Sequence, residues 1–277
     1  MPLALDARSV SRYDDRALHR QLADVIREAI TDGQCRPGEP LPSEGDLATT
    51  VGVSRTAVRD ALDILASEGL IVKRAGAVTR VATPPPVRHM ATSRYIEELR
   101  LLQASGEHPL TSAFTTDHGV PWDAYTVDAN YAEDTATEQD AERLHLTQGA
   151  AVLRRQLVKY AAGVPVQLQE SVIPLPLVAG TPVADPERQP WPGGTIAELY
   201  SVGLVVTRVV EEAQARTPST AERRMLEMEA AGPVWDIVRT FYVGDRPTEV
   251  STVVCSARGH VLRYETDLSW RSDSWAR

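Results

Sequence analysis

The 277-residue sequence predicts an α+β protein built as an N-terminal winged helix-turn-helix, a proline-rich linker and a C-terminal domain dominated by an antiparallel sheet. Three observations predict it. Helical stripes at the start of the chain give way to a short basic hairpin; the segment ATPPPVRH carries three consecutive prolines; and period-two runs dominate the remaining two-thirds of the chain. The length agrees, because about 150 residues per domain gives two domains.

Leu18, Leu22, Val25 and Ala29, with Ile26 and Ile30 beside them, make an amphipathic helix that Gly33 ends. A turn at Pro37-Gly38 follows. Ser43 to Asp46 has the S-x-x-[DE] spacing of a capping box and opens a short second helix through Leu47 and Ala48. Val51-Gly52-Val53 interrupts that helix, and Ser54 caps a third that runs to Glu68 before Gly69 stops it. On the third helix Val58, Leu62 and Leu65 point inward, whereas Thr56, Arg59 and Asp63 take the opposite side, with Arg55 at the exposed N-terminus. LIVKRAGAVTRVA reads as two short strands joined at Ala75-Gly76, with Lys73, Arg74 and Arg80 around the turn. Three prolines cannot continue a helix or a central strand, so residues 83–90 are read as a stiff spacer between a DNA-binding domain, 12–82, and a second domain, 91–277.

In the second domain, Ala141, Leu144 and Leu146 predict a short helix before a turn at Gln148-Gly149. VLRRQLVKY and VPVQLQESV then form a hairpin across Ala162-Gly163. GLVVTRVVEEAQA, PVWDIVRTFYVG, TEVSTVVCS and HVLRYETDLSW supply four more strands, with helices at TIAELY and TAERRMLEME between them.

Composition narrows the function classes. With 43% hydrophobic and 24% charged residues the chain is an ordinary globular protein, not a disordered or collagen-like one. No stretch approaches the roughly 18 apolar residues of a membrane span, and MPLALDARSV meets Asp6 and Arg8 too early for a signal peptide. Cys35 and Cys255 lie 220 positions apart, which argues against a disulfide framework and for a reducing cytoplasm. The net charge of −9 is unevenly shared: residues 1–81 carry 11 basic against 12 acidic groups, residues 82–277 carry 18 against 26, and residues 51–81 carry five against three. A local excess of two is a weak electrostatic footprint, so charge alone does not make this a DNA-binding chain.

The third helix carries the strongest functional signal. Ser54-Arg55-Thr56-Ala57-Val58-Arg59 offers small residues for close approach, hydroxyls for phosphate, and two guanidiniums one turn apart that can each bond guanine O6 and N7 in the major groove. A solvated arginine face on an ordinary helical hairpin is the alternative, and the wing and capped turn count against it. Ser43, at the cap of the second helix, and Arg74 and Gly76, at the wing, complete the DNA-binding candidates. In the second domain Glu170 shares a face with Val164, Val166, Leu168 and Val172, where a carboxylate needs either a partner, such as Arg155 on the neighbouring strand, or a ligand donor. Arg155 shares a face with Leu153 and Leu157 and is read as an anion anchor or as the other half of that pair. Glu212 and Glu249 are further effector candidates that solvation would also explain. His19, His89, His108, His118, His145 and His260 show no ligand spacing, so no metal is expected; no cofactor is expected either, since the chain has no P-loop, dinucleotide fingerprint, G-x-S-x-G elbow or H-E-x-x-H.

LPSEGDLATTVGVSRTAVRDALDILASEGLIVKRAG resembles the DNA-binding domain of the GntR family of bacterial transcription regulators, with its P-S-E-x-x-L segment, V-S-R-T-x-V-R recognition helix and E-G-L approach to the wing. The resemblance covers residues 12 to 82. It implies that Arg55, Thr56 and Arg59 contact an operator and that Gly76 lies near the minor groove. Two departures stand out: Gly45 replaces the family's usual arginine, and Val78 a frequent second wing glycine. The second domain is similar to UTRA, the effector-binding domain of the HutC subfamily, which shares the fold of chorismate lyase. Its supporting runs are residues 144–155, 163–174, 195–200 and 246–251. The likeness implies a homodimeric repressor, not an enzyme, that binds a palindromic operator in double-stranded DNA and leaves it when a small organic effector binds. That effector is expected to be neutral or singly anionic, because Leu157 follows Arg155 on its face where sugar-phosphate binders resemble a strand with two alternate arginines. A chorismate-lyase-type enzyme and a ligand-independent plasmid-transfer repressor are the alternatives.

Overall fold

A computed structural model describes residues 6, 9–11, 13–74, 76–83, 88–91, 94–105, 110–228 and 232–265. The chain divides into two compact units, the first comprising residues 1–85 with 228–232 and the second residues 86–227 with 233–277. The expected turn residue Ala75, the three prolines Pro84 to Pro86 and the end of the last expected strand lie outside the described residues.

In the first unit three helices, α1 (Leu18–Thr31), α2 (Glu44–Val51) and α3 (Arg55–Ser67), close around Leu22, Ile26, Leu47, Val58, Leu62, Leu65 and Ile71. The buried stripe of α1 keeps Leu22 and Ala29 of the expected row but passes through Ile26, leaving Val25 half-buried. Local chemistry sets the helix ends. Ser43 Oγ accepts from Asp46 N at 3.2 Å, Ser54 Oγ accepts from Ala57 N at 3.1 Å, and Gly52 takes the left-handed φ of 72° that ends α2. Two short antiparallel strands, β1 (Ile71–Val72) and β2 (Arg80–Val81), form the wing.

The second unit contains β3 (Arg88–Ala91), α4 (Arg94–Ser105), α5 (Ala113–His118), β4 (Tyr125–Thr135), α6 (Glu138–Leu144), β5 (Ala151–Ala161), β6 (Val164–Pro174), α7 (Gly194–Tyr200), β7 (Arg208–Arg216), α8 (Thr220–Met225), β8 (Val234–Val243), β9 (Arg246–Ser256) and β10 (His260–Arg263). The strand β3 pairs in parallel with β10, so Arg88–Met90, expected as linker, is strand instead. Six strands form one antiparallel sheet in the order β4-β5-β6-β9-β8-β7. The β5–β6 hairpin turns on Ala162 and Gly163, both at positive φ. Residues of α4 and α7 pack with Leu153, Ile173 and Phe241 on one face of the sheet, here called inner; Ala141 and Leu144 of α6 pack with Val152, Val172 and Val250 on the outer face.

Register decides which candidates can meet. One inner row crosses all six strands: Tyr131, Arg155, Ser171, Ser251, Arg239, Glu211. The adjoining outer row is Asn130, Gln156, Glu170, Thr252, Val238, Glu212. Because side chains alternate along a strand, no member of one row touches the other face.

Candidate DNA interface and effector cavity

The first turn of α3 leaves Arg55, Thr56 and Arg59 exposed, because its inward positions are occupied by Val58, Ala61 and Leu62. Arg59 meets Glu44 only at 3.6 Å with its side chain 63% exposed, a pairing that water weakens almost to nothing. Gly45 bears directly on Arg55: a Cβ at that position would stand 3.2 Å from Arg55 Nη2, so the missing side chain leaves room for the guanidinium. Ser43 is otherwise committed, since its hydroxyl both accepts from Asp46 N and donates to Asp46 Oδ2 at 2.6 Å. At the wing Gly76 has φ of 74°, and Arg74 is exposed. Two basic neighbours are engaged within the unit: Lys73 pairs with Asp63 at 2.6 Å, and Arg80 donates to the Gly38 carbonyl at 3.0 Å.

In the second unit the expected pairing of Arg155 with Glu170 is overturned. Glu170 sits in the outer row, exposed, and binds Arg154 at 3.0 Å. Arg155, 1% exposed, is the centre of an inner-face hub. Its Nη1 donates to Glu198 Oε1 at 2.8 Å, its Nη2 to Glu249 Oε1 at 2.9 Å, and both Nε and Nη2 reach Ser171 Oγ. Gln189 Nε2 donates to the same Glu198 oxygen at 2.9 Å, and the Tyr131 ring lies 5.5 Å from the guanidinium. Burial pushes the Glu198 carboxyl up while Arg155 pulls it down. Solvation does not explain Glu249, which is 0% exposed, but it does fit Glu212, whose exposed carboxylate accepts from Arg143 at 2.6 Å. Arg155 is therefore a neutralised structural hub and not a free anion anchor.

A second network closes the other end of the inner row. Arg94 binds Asp117 at 2.7 Å and Glu211 at 3.1 Å, and Arg239 binds the same Glu211 oxygen at 2.6 Å. Tyr95 donates its hydroxyl proton to that oxygen at 2.9 Å. Desolvation raises Asp117 to about 6 against the pull of Arg94. Glu98 accepts from Ala113 N and is pushed by burial up to about 7. A Cβ on Gly194 would come within 2.7 Å of Glu98 Oε1, and Gly194 holds φ of 69°, so only glycine lets α7 begin this close.

Between the two networks lies an inner cavity of about 50 Å³, bounded by Glu98, Phe114, Lys159, Gln167, Gln169 and Arg239 among others. A smaller space of about 20 Å³ adjoins it beside Arg155, Gln189 and Trp191, and Lys159 and Gln169 face both. Lys159 stands apart. Desolvation, with repulsion from Arg239, lowers its ammonium to about 8, and among the described residues it has no ion pair or hydrogen bond; the Phe114 ring centroid lies 5.9 Å from Nζ. A larger hollow of about 550 Å³ opens on the outer face beside Gln156, Glu170, Arg216 and Met225, and Glu170 belongs there.

Sequence reading missed Lys159, although it lies two inner-face positions beyond Arg155 and a longer period-two count would have reached it. Glu98, Glu198, Glu211 and Arg239 carried no such signal, because the sheet and helices bring them together from distant parts of the chain. His118 and His260, both buried, approach to 3.4 Å between their Nε2 atoms, and each donates Nδ1–H to a backbone carbonyl. Among the described residues no group of three or more metal-ligating side chains occurs.

A winged helix with an exposed arginine turn, carried on the same chain as a six-stranded sensor-like sheet domain, defines a DNA-binding transcription regulator with an effector domain. Residues 18–81 match the family of bacterial regulatory proteins, gntR family, and residues 128–259 match the UTRA domain. The chain thus combines a GntR-type DNA-binding domain with a UTRA domain, the arrangement of a HutC-type regulator. It is 25% identical to the HTH-type transcriptional repressor NagR of Bacillus subtilis over 85% of this chain and 88% of that protein. It is 24% identical to the histidine utilization repressor of Pseudomonas putida over 88% of this chain and 90% of that one. A solved GntR-family transcriptional regulator superposes with a TM-score of 0.63 at 28% identity, covering 92% of this chain and 99% of its own. No helix among the described residues is long and apolar enough to cross a membrane.

Proposed function

We propose that the chain is a cytoplasmic repressor, not an enzyme, which binds a palindromic operator as a homodimer and releases it when a small organic effector, neutral or singly anionic, enters the inner cavity of residues 91–277. Residues 12–82 carry the DNA contact, and the proline-bearing stretch ahead of β3 joins the two domains. The observation that carries the DNA half is the first turn of α3, where Arg55 and Arg59 are held exposed and almost unpaired while the wing's Lys73 and Arg80 are tied internally. Arg55, Thr56 and Arg59 enter the major groove, Ser54 and Arg74 take phosphates, Gly76 lets the wing approach the minor groove, and Ser43 acts by holding α2. Two-fold symmetry supplies a second recognition helix, which a unit of such low net charge needs for tight binding.

The inner cavity is the better effector site of the two hollows because polar groups converge on it, whereas the outer one is open and its Arg216 is engaged by Glu222 and Asp236. Titration of genomic operator fragments with the purified protein tests the DNA half. Arg59→Ala should cost about 1 to 3 kcal/mol on the specific site if it reads a base edge, or about one unit of salt slope if it binds phosphate. Neither change would remove Arg59 from the interface.

A further inference from the structure

We infer that the inner cavity recognises its ligand through a single negative charge placed on Lys159, and that the effector class is a small organic monocarboxylate in preference to a phosphate ester. This rests on the effector reading above and narrows it. Every arginine facing the cavity already has carboxylate partners: Arg94 holds Asp117 and Glu211, Arg239 shares Glu211, and Arg155 holds Glu198 and Glu249. Lys159 is the exception, bordering both inner spaces without a hydrogen bond or ion pair among the described residues. Lys159 is half-buried, and an ammonium partly withdrawn from water without a partner costs folding free energy that an arriving anion offsets.

The same inventory sets the charge at one. A dianion would need a second uncommitted cation, and recruiting an arginine would strand a buried carboxylate. Glu98 on the same cavity wall, pushed by burial up to about 7, is about half protonated at neutral pH, and in its protonated form it accommodates a hydroxyl or amide on the ligand without adding charge. Phe114 and Tyr125, stacked at 4.1 Å between centroids, give the ligand's carbon body an apolar surface.

The test uses the full chain and probes small enough for a cavity of this size: acetate, its neutral isostere acetamide, and inorganic phosphate, each at pH 7 and matched with chloride for ionic strength. Acetate is expected to raise the melting temperature saturably, with acetamide and phosphate no better than chloride, and Lys159→Met is expected to weaken the acetate response about tenfold or more. An acetate effect equal to that of chloride, an effect that survives in Lys159→Met, or a stronger response to phosphate overturns the inference. Operator retention by the unsubstituted chain without added anion reports on the regulator reading separately, so failure of one is distinguishable from failure of the other.

Discussion

Helix α3 and strand β5 each carry two arginines, and their fates are opposite. On α3 a spacing of four puts Arg55 and Arg59 on one exposed face. On β5 the adjacent Arg154 and Arg155 go to opposite faces of the sheet: Arg154 to Asp134, Asp140 and Glu170 outside, Arg155 to Glu198 and Glu249 inside. The helix leaves its cations almost unneutralised; the strand surrounds its two with five carboxylates. A charge can recognise a ligand only if the fold has left it uncommitted, and by that criterion Lys159 resembles Arg59 more than it resembles its own neighbour Arg155.

The largest effect should come from breaking the hub. Arg155→Met leaves Glu198 and Glu249 buried without their cation and should cost about 3–5 kcal/mol of stability in urea titration. A loss near that of a surface pair would show that the hub is not desolvated.

The next effect has the opposite sign. Lys159 titrates at about 8 in the folded chain, below the ordinary value of 10.5, so keeping it charged opposes folding at every pH below about 8. The unfolded state holds more protons between those two values, and stability should therefore climb with pH across that interval. Lys159→Met should stabilise the second unit by about 2 kcal/mol at pH 7 and should flatten that climb. A destabilised variant would mean that the ammonium has a partner which offsets its burial.

Least should follow from Glu170→Gln. Glu170 is exposed and shares Arg154 with two aspartates, so unfolding free energy should change by less than about 1 kcal/mol. A cost of several kcal/mol would restore Glu170 to a buried role and undo the assignment of the two sheet rows.

Legibility divided along the same line. The caps Ser43 and Ser54 and the wing strands were readable because a cap or a turn depends on neighbours within four residues. The six-stranded sheet was readable as a class, but its edge strand β4 was overlooked. Its first half alternates, with Thr126, Asp128 and Asn130 exposed against half-buried Val127, Ala129 and Tyr131, and Ala132, Glu133 and Asp134, all exposed, interrupt the pattern. The helices α4 and α5 passed unseen for want of a clean stripe, and with them went Arg94, Glu98 and Asp117. The expected pairing of Arg155 with Glu170 failed for a reason of register: the two residues lie on opposite faces of the sheet, which only the pairing of Arg155 with Ser171 shows.

The sequence by itself determined the two-domain plan, the helix ends, the exposed arginine turn and the family resemblance, because each is written in periodicity or motif over short spans. Only the tertiary structure decided which charges cancel. Arg155, Glu198 and Glu249 meet across the sheet and one helix over 94 residues of chain, while Lys159 meets no carboxylate among the described residues, and nothing local distinguishes those outcomes. Neutralisation is a property of register and packing: the pairing of six strands sets which side chains share a face, and burial then sets what an unpaired one costs.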